Sequence, residues 1–232
     1  MFLTDLFFPK FCLNCGYLGT YLCLSCFKKL KPVKQDVCFY CKKTSLFGLT
    51  HPDCTKSLNI DGLLCVYHYN PILKKIIKNI KYRLAIEVWK EFYKIISPEA
   101  IYKLSFYNSI SQDFVIQPIP LSKIKYNERG FNQASFISVF FQKFLRFPIV
   151  DLLIRKKEMS AQAQMKNKKE RYLNIKGSFA INDKSPDMTD HLPTNIILID
   201  DVITSGSTVK EAAKILKKAG AKNVYVLALA KG

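Results

Sequence analysis

Residues 195–208, NIILIDDVITSGST, decide the reading of this chain. Ile196, Ile197, Leu198 and Ile199, with Val202 beyond the acidic pair Asp200 and Asp201, have the length and β-branched content of a buried parallel strand. Open α/β sheets bind ligands in the crevice beyond the carboxyl ends of their strands, so the two carboxylates are predicted to sit at a site. Such a pair can accept hydrogen bonds from vicinal hydroxyls or hold a hydrated cation. Thr204, Ser205, Gly206, Ser207 and Thr208 come next, followed by an amphipathic helix with Val209, Ala212, Ala213 and Leu216 on one face. A small, hydroxyl-rich turn at a helix N-terminus cradles phosphate. Backbone N–H groups and the positive end of the helix dipole point outward there, and Gly206 permits close approach. Strand, paired acids and turn together describe a ribose 5-phosphate site. An ordinary N-capped turn would leave the two adjacent carboxylates unexplained, and the spacing and lysine of a P-loop are missing.

A length of 232 residues suits one α/β domain plus a small appendage, and 49% apolar residues supply a core. No stretch reaches the roughly 20 uninterrupted apolar residues of a membrane span. The opening MFLTDLFFPKF carries Asp5 and Pro9 and lacks both a basic start and a small-residue cleavage site, so the expected compartment is the cytoplasm. A net charge of +18, from 36 basic and 18 acidic side chains, serves either a solvated surface or polyanionic partners such as nucleic acid and phosphorylated small molecules.

Residues 1–60 hold seven of the eight cysteines, arranged as Cys12-x-x-Cys15, Cys23-x-x-Cys26, Cys38-x-x-Cys41 and His51-x-x-Cys54. Thiolates three positions apart on a tight knuckle reach one tetrahedral Zn²⁺, and two knuckles close a structural site. Disulfides are the weaker explanation in a chain without an export signal. Simple pairing gives Cys12, Cys15, Cys23 and Cys26 for one site and Cys38, Cys41, His51 and Cys54 for the other; interleaved pairing or a single occupied site is the alternative. Cys65 reads as a small buried hydrophobe. Asp61-Gly62 marks a boundary between a zinc module of residues 1–60 and a domain of residues 61–232.

Leu63 to Tyr69 is predicted to open that domain as a strand. Residues 71–96 set Ile72, Leu73, Ile76, Ile77 and Ile80 against Lys74, Lys75, Lys78, Lys81 and Arg83, the period of an amphipathic helix. Its basic face is either solvated exterior or a nucleic-acid contact, with Tyr67, Tyr69 and Tyr82 close enough in sequence to stack on bases. Phe114 to Gln117 reads as a strand stopped by Pro118-Ile119-Pro120-Leu121-Ser122. Lys123, Lys125 and Arg129 then lie in a basic loop suited to pyrophosphate, ahead of a helix with Phe136, Ile137, Phe140, Phe141 and Phe144 inward. Residues 155–176 hold eight basic and two acidic side chains and read as a solvated segment. The last strand, Val224 to Ala230, follows Gly220.

The 195–208 stretch closely resembles the PRPP-binding motif of type I phosphoribosyltransferases. Taken with the cysteine-rich start, the Pro-x-Pro-Leu turn at 118–121 and Arg129-Gly130-Phe131-Asn132-Gln133-Ala134, in this order, the chain resembles the ComF family. Those are phosphoribosyltransferase-like proteins associated with DNA uptake in natural transformation. The resemblance implies an α/β fold, a type I phosphoribosyltransferase-like parallel sheet flanked by helices, with an N-terminal zinc ribbon. It also implies PRPP with Mg²⁺ as ligand, and single-stranded DNA and the uptake machinery as partners. By carry-over, Pro118, Ile119, Pro120, Leu121 and Ser122 form the pyrophosphate loop, and Arg129 belongs to the second signature. Asp200 and Asp201 anchor the ribose, while Thr204, Ser205, Gly206, Ser207 and Thr208 hold the 5′-phosphate. Arg155, Gln162, Arg171 and Asn174 match a flexible loop over the site, and Arg155 or Arg171 steadies the pyrophosphate.

The implied reaction transfers ribose 5-phosphate from PRPP to a nitrogen acceptor, resting on charge stabilisation of the leaving group and exclusion of water. No general base stands out, since His51, His68 and His191 are far from these motifs in sequence. Two other readings stay open: a nucleic-acid-handling protein that keeps the fold without turnover, and a nucleobase salvage enzyme, which the zinc module disfavours.

Overall fold

Side chains from Ile196 to Ile199 and from Val226 to Ala230 are all 0% exposed. Strands buried on both faces belong inside a sheet, with helices on either side. The computed structural model, which describes residues 9–79, 90–91, 93, 96–156, 175–187 and 191–232, places both of them there. The chain runs through α1 (Leu24–Phe27), β1 (Lys31–Pro32), β2 (Gly62–His68), α2 (Pro71–Asn79), α3 (Pro98–Ile110), β3 (Phe114–Pro118) and α4 (Lys123–Arg129). It continues through α5 (Gln133–Leu145), β4 (Leu153–Arg155), β5 (Phe179–Ile181), β6 (Asn195–Ile203), α6 (Ser207–Lys218) and β7 (Asn223–Lys231). The main sheet has the order β1-β2-β7-β6-β3, with β2, β7, β6 and β3 parallel and β1 antiparallel at the edge. β4 and β5 form a separate antiparallel pair.

The alternation of a strand sorts its side chains onto two faces. Ile197 and Ile199 of β6 pack with Leu73 and Ile76 of α2, Leu104 of α3, and Ile137 and Phe141 of α5. Ile196 and Leu198 turn the other way, onto Val209, Ala212, Ala213 and Leu216 of α6 and onto Leu153 and Phe179 of the β4–β5 pair. β6 is thus clamped from both sides up to Ile199, and its last four residues emerge at the edge where β3 stops, because Pro118 pairs with Ile199.

Three helices differ from the sequence reading or extend it. The α3 helix is capped by Ser97, whose hydroxyl accepts from the Ala100 N–H at 3.2 Å, and Pro98 starts its first turn. Its apolar residues are not confined to one face: Leu104 and Tyr107 are buried while Ile101 and Tyr102 are exposed, so no helical period betrays it. Lys123–Arg129 is a short helix rather than a basic loop, bounded by Ser122 at its N-cap and by Gly130 in the left-handed region at φ 75°. The α2 helix buries Leu73, Ile76 and Ile77 and exposes Lys74, Lys75 and Lys78; the remainder of that predicted helix, with Ile80, Lys81, Tyr82 and Arg83, lies outside the described residues. Tyr67 is core, at 1% exposed, whereas Tyr69 stands past the end of β2 and is accessible. No helix among the described residues is long and apolar enough to cross a membrane.

The cysteine-rich segment is fastened to the sheet. β1 pairs with β2, and the Val33 N–H donates to the Val66 carbonyl at 3.0 Å. Lys103 of α3 reaches beneath the segment with its buried ammonium, donating to the Val33 carbonyl at 2.7 Å and pairing with Asp36 at 3.0 Å. Burial pushes the Asp36 carboxyl up, against the pull of Lys103. Removing one member of a buried pair leaves an uncompensated charge. Lys103→Met is therefore expected to cost about 3–5 kcal/mol at neutral pH, measured by urea unfolding, with the loss shrinking in acid as Asp36 takes up a proton. A loss under about 1 kcal/mol would place this pair with surface ion pairs.

Candidate functional site

β6 carries its acids past the point where the core ends. Asp200 and Asp201 are half-buried, and each oxygen pairs with the next backbone N–H: Asp201 N to Asp200 Oδ1 at 2.9 Å, Val202 N to Asp201 Oδ1 at 2.7 Å. Burial, and then the neighbouring Asp201 carboxylate, push the Asp200 carboxyl well above the ordinary range. The Thr204–Thr208 turn follows, with Gly206 in the left-handed region at φ 71° as the N-cap of α6. The hydroxyls of Ser205 and Ser207 lie 3.0 Å apart, and the Ser207 N–H donates to Ser205 Oγ at 3.3 Å. A twelve-residue helix therefore presents its N-terminus, with the positive end of its dipole, beside the acids.

The opposite wall is cationic. The loop after β3 is held by the Ile119 N–H, which donates to the Ile199 carbonyl at 2.9 Å, and by Asn132 Nδ2, which donates to the Ile119 carbonyl at 2.9 Å. Asn132 also caps α5 through its Oδ1, so one side chain ties the loop to that helix. Lys125 and Arg129 of α4 and Arg155 of β4 converge across a cleft of about 200 Å³ from Asp200, Asp201 and Thr208. Burial, followed by the nearby Arg155 and Arg129 charges, holds the Lys125 ammonium below the usual lysine range. Arg129 Nη1 donates to Gln133 Oε1 at 2.8 Å, and the Arg155 guanidinium lies 5.2 Å from the Phe179 ring centre. A second chamber of about 450 Å³ shares Arg129, Gln133 and Asp201 with this cleft and adds Tyr69, Phe131, Lys74 and Lys78.

The structure thus gathers Asp200, Asp201, Thr208, Ile119, Leu121, Arg129 and Arg155 around one cleft. Pro118 is spent as the last residue of β3, and Ser122 is buried as the cap of α4. Thr204 lines a neighbouring crevice with Phe39 and Lys42. Gln162, Arg171 and Asn174 lie outside the described residues. The packing of the Cys38–Cys41 knuckle against the phosphate turn, through Phe39, was invisible in sequence because nothing local marks a contact between segments so far apart.

The cysteine knuckles form two clusters. The sulfurs of Cys12, Cys15, Cys23 and Cys26 all lie within 4.8 Å of one another, and so do the donor atoms of Cys38, Cys41 and His51. Both sets could hold zinc. His51 Nε2 stands 3.1 Å from the Thr44 carbonyl, an acceptor only, so Nε2 carries the proton and the Nδ1 lone pair faces Cys41 Sγ at 3.2 Å. That is the tautomer of a metal-bound imidazole fixed by a backbone carbonyl. Cys54, the fourth residue of the expected set, stands outside this group of three. Cys65 is buried in the sheet, where burial pushes its thiol up to about 12.

The strained charge of Asp200 has a stability consequence. Its folded pKa lies above the unfolded value, so the native state binds the extra proton, and stability falls as pH rises out of the ordinary carboxylate range. Asp200→Asn is expected to melt higher than the parent at pH 7, by about 2–4 °C if the relief is worth about 1 kcal/mol. The gap should close toward about pH 4, where the parent carboxyl is neutral. Scanning calorimetry across pH checks this, and an unchanged or lowered melting point at pH 7 contradicts it.

Comparison with known proteins matches a phosphoribosyl transferase domain to residues 133–232, the part that runs from α5 to β7 and includes the acids and the turn. Competence protein ComFC of Bacillus subtilis (strain 168) is 31% identical over 208 residues, covering 86% of this chain and 79% of its own. Competence protein F of Haemophilus influenzae is 25% identical over 226 residues, covering 90% of each chain. DNA utilization protein YhgH of Shigella flexneri is 25% identical over 167 residues, covering 72% of this chain and 70% of its own. With near one-third identity to a ComFC over most of both chains, and a phosphoribosyl transferase domain at its C-terminal end, this chain belongs to the ComF family.

Proposed function

We propose that the cleft at the ends of β6 and β3 binds PRPP with Mg²⁺, and that the protein handles single-stranded DNA in natural competence as a cytoplasmic, PRPP-dependent member of its family. One observation carries this reading. A half-buried acid pair and Thr208, in the first turn of the helix that a left-handed glycine opens, face three converging cations across a single cleft, which is the charge pattern that an anion with two phosphate ends and a hydroxylated middle requires. Vicinal ribose hydroxyls donate to Asp200 and Asp201. The 5′-phosphate takes the Thr204–Thr208 turn and the dipole of α6. The pyrophosphate lies against the loop of residues 118–122 and meets Lys125, Arg129 and Arg155, with Arg171 as a further cation. Mg²⁺ bound with PRPP would supply charge neutralisation at the pyrophosphate.

Turnover in this reading is phosphoribosyl transfer to a nitrogen acceptor. The C1–O bond breaks with its electron pair leaving on pyrophosphate, nitrogen bonds to C1, and the nitrogen proton goes to solvent. The cationic wall would stabilise the leaving charge, and that is where the chain's own contribution lies. A binding role without turnover is favoured by a different feature: the exposed Lys74, Lys75 and Lys78 of α2, beside the accessible Tyr69, suit a strand of nucleic acid. The names of the relatives, competence and DNA utilization, fit either form.

The N-terminal segment is proposed as a structural zinc module, with one Zn²⁺ on Cys12, Cys15, Cys23 and Cys26 and a second on Cys38, Cys41, His51 and Cys54. Metal analysis of the purified protein is expected to find two Zn²⁺ per chain, and a zinc-free protein that unfolds at the same temperature would remove the module. Calorimetric titration with PRPP and Mg²⁺ tests the cleft. Replacing Asp200 and Asp201 together with Ala is expected to weaken binding about 100-fold or more, the worth of two hydrogen bonds to charged groups, with the fold retained. Equal binding by the double variant would remove the assignment of the acids. Absence of binding by the parent would leave nucleic-acid handling as the account of the fold.

A further inference from the structure

Gly206, the N-cap of α6, is buried, and a Cβ built on it would lie 2.4 Å from Cζ of Phe39. The phosphate turn therefore rests against the Cζ–Cε2 edge of that ring with no room for a methyl group. Phe39 and Tyr40 are the two residues between Cys38 and Cys41, so the knuckle of the second cysteine–histidine cluster delivers both rings to the start of α6. The knuckle is a closed turn: the Cys38 N–H donates to the Lys43 carbonyl at 2.9 Å and the Lys42 N–H to the Cys38 carbonyl at 3.0 Å. Tyr40 Oη accepts from the Ile60 N–H at 2.9 Å, and the two rings meet edge to face at 5.2 Å. Lys210, one turn into α6, stands 5.4 Å from the Tyr40 ring centre and 5.9 Å from that of Phe39. Helix start and knuckle thus share one packed interface.

We propose that Phe39 is a positioning residue for the Thr204–Thr208 turn, and that loading of the Cys38/Cys41/His51 cluster, by fixing Phe39, sets the affinity of the turn for a phosphate monoester. This rests on the PRPP reading of the cleft. Without the metal the knuckle is left to the backbone bonds of the turn and the 3.2 Å contact of Cys41 Sγ with His51 Nδ1, so it loosens and the turn loses the surface that orients its N–H groups. Coupling between two sites is reciprocal, so a phosphate on the turn tightens the hold of the knuckle on its metal by the same factor.

The test uses the zinc-replete full chain with Phe39→Ala and the conservative Phe39→Leu. PRPP with Mg²⁺ probes the whole cleft, and inorganic pyrophosphate with Mg²⁺ probes only the cationic wall, which Phe39 does not touch. Phe39→Ala is expected to keep its zinc, lose about tenfold in PRPP affinity, a change of one decade for one supporting contact, and bind pyrophosphate unchanged. Phe39→Leu should recover most of the loss. Amide hydrogen exchange of residues 204–208 without ligand should quicken in Phe39→Ala alone, and withdrawal of zinc by a chelator should be slowed by PRPP in the parent but not in that variant. Unchanged exchange and unchanged PRPP affinity in a zinc-loaded Phe39→Ala would overturn the proposal, as would equal loss of both ligands. If the parent binds no PRPP, the reading of the cleft fails on its own, and ligand-free exchange at 204–208 still decides whether Phe39 positions the turn. Should Phe39→Ala lose its metal or its fold, Phe39→Val, which keeps part of the side chain, carries the same comparison.

Discussion

Two adjacent carboxylates at the end of a buried strand repel each other, and much of this architecture answers that repulsion. Asp200 and Asp201 cannot separate, because β6 is pinned between β7 and β3 and covered by helices on both faces up to Ile199. Their charge is met in part by the backbone N–H groups of Asp201 and Val202, and across the cleft by Lys125, Arg129 and Arg155. Acids and bases line the same cavity. A cleft held open between unlike charges is preorganised for a ligand that brings both hydroxyl donors and anionic oxygens.

Much of this was legible in the sequence where a local rule sufficed. The run Ile196 to Ile199 could be read as a buried strand because its side chains are branched and apolar on both faces, and the Gly206 turn because small hydroxyl residues before a helix have few other uses. The α3 helix was not legible, since Ile101 and Tyr102 are exposed beside buried Leu104 and the period is blurred. The α4 helix hid behind its charge: Lys123, Lys125 and Arg129 suggested a loop, although Ser122 and Gly130 punctuate a helix. The family resemblance puts Arg155 at the site, but in a loop; the fold instead holds it at the end of β4, which pairs with β5 over the face of α6. Phe39 against Gly206 is a contact that only the folded chain creates.

The cysteine-rich segment is more than an appendage in this architecture. It supplies β1 to the sheet edge, a buried partner for Lys103 and a support for the phosphate turn. Small segments of this kind have too little apolar material to fold alone, and a metal provides what the core lacks. Here the clusters differ in character: the four-cysteine set lies near Glu91, whose carboxylate gathers the hydroxyl of Thr20 and the N–H groups of Tyr21 and Leu22, whereas the knuckle of the cysteine–histidine set meets the Gly206 turn through Phe39. The first secures the segment to the helical face, and the second touches the site.

A structure of the zinc-loaded protein with PRPP and Mg²⁺ tests the central claim most directly. The account predicts the ribose hydroxyls within hydrogen-bond distance of Asp200 and Asp201, the 5′-phosphate on residues 204–208, and the pyrophosphate facing Lys125, Arg129 and Arg155. PRPP bound away from the acid pair, or lying with its pyrophosphate on the Gly206 turn, would contradict it.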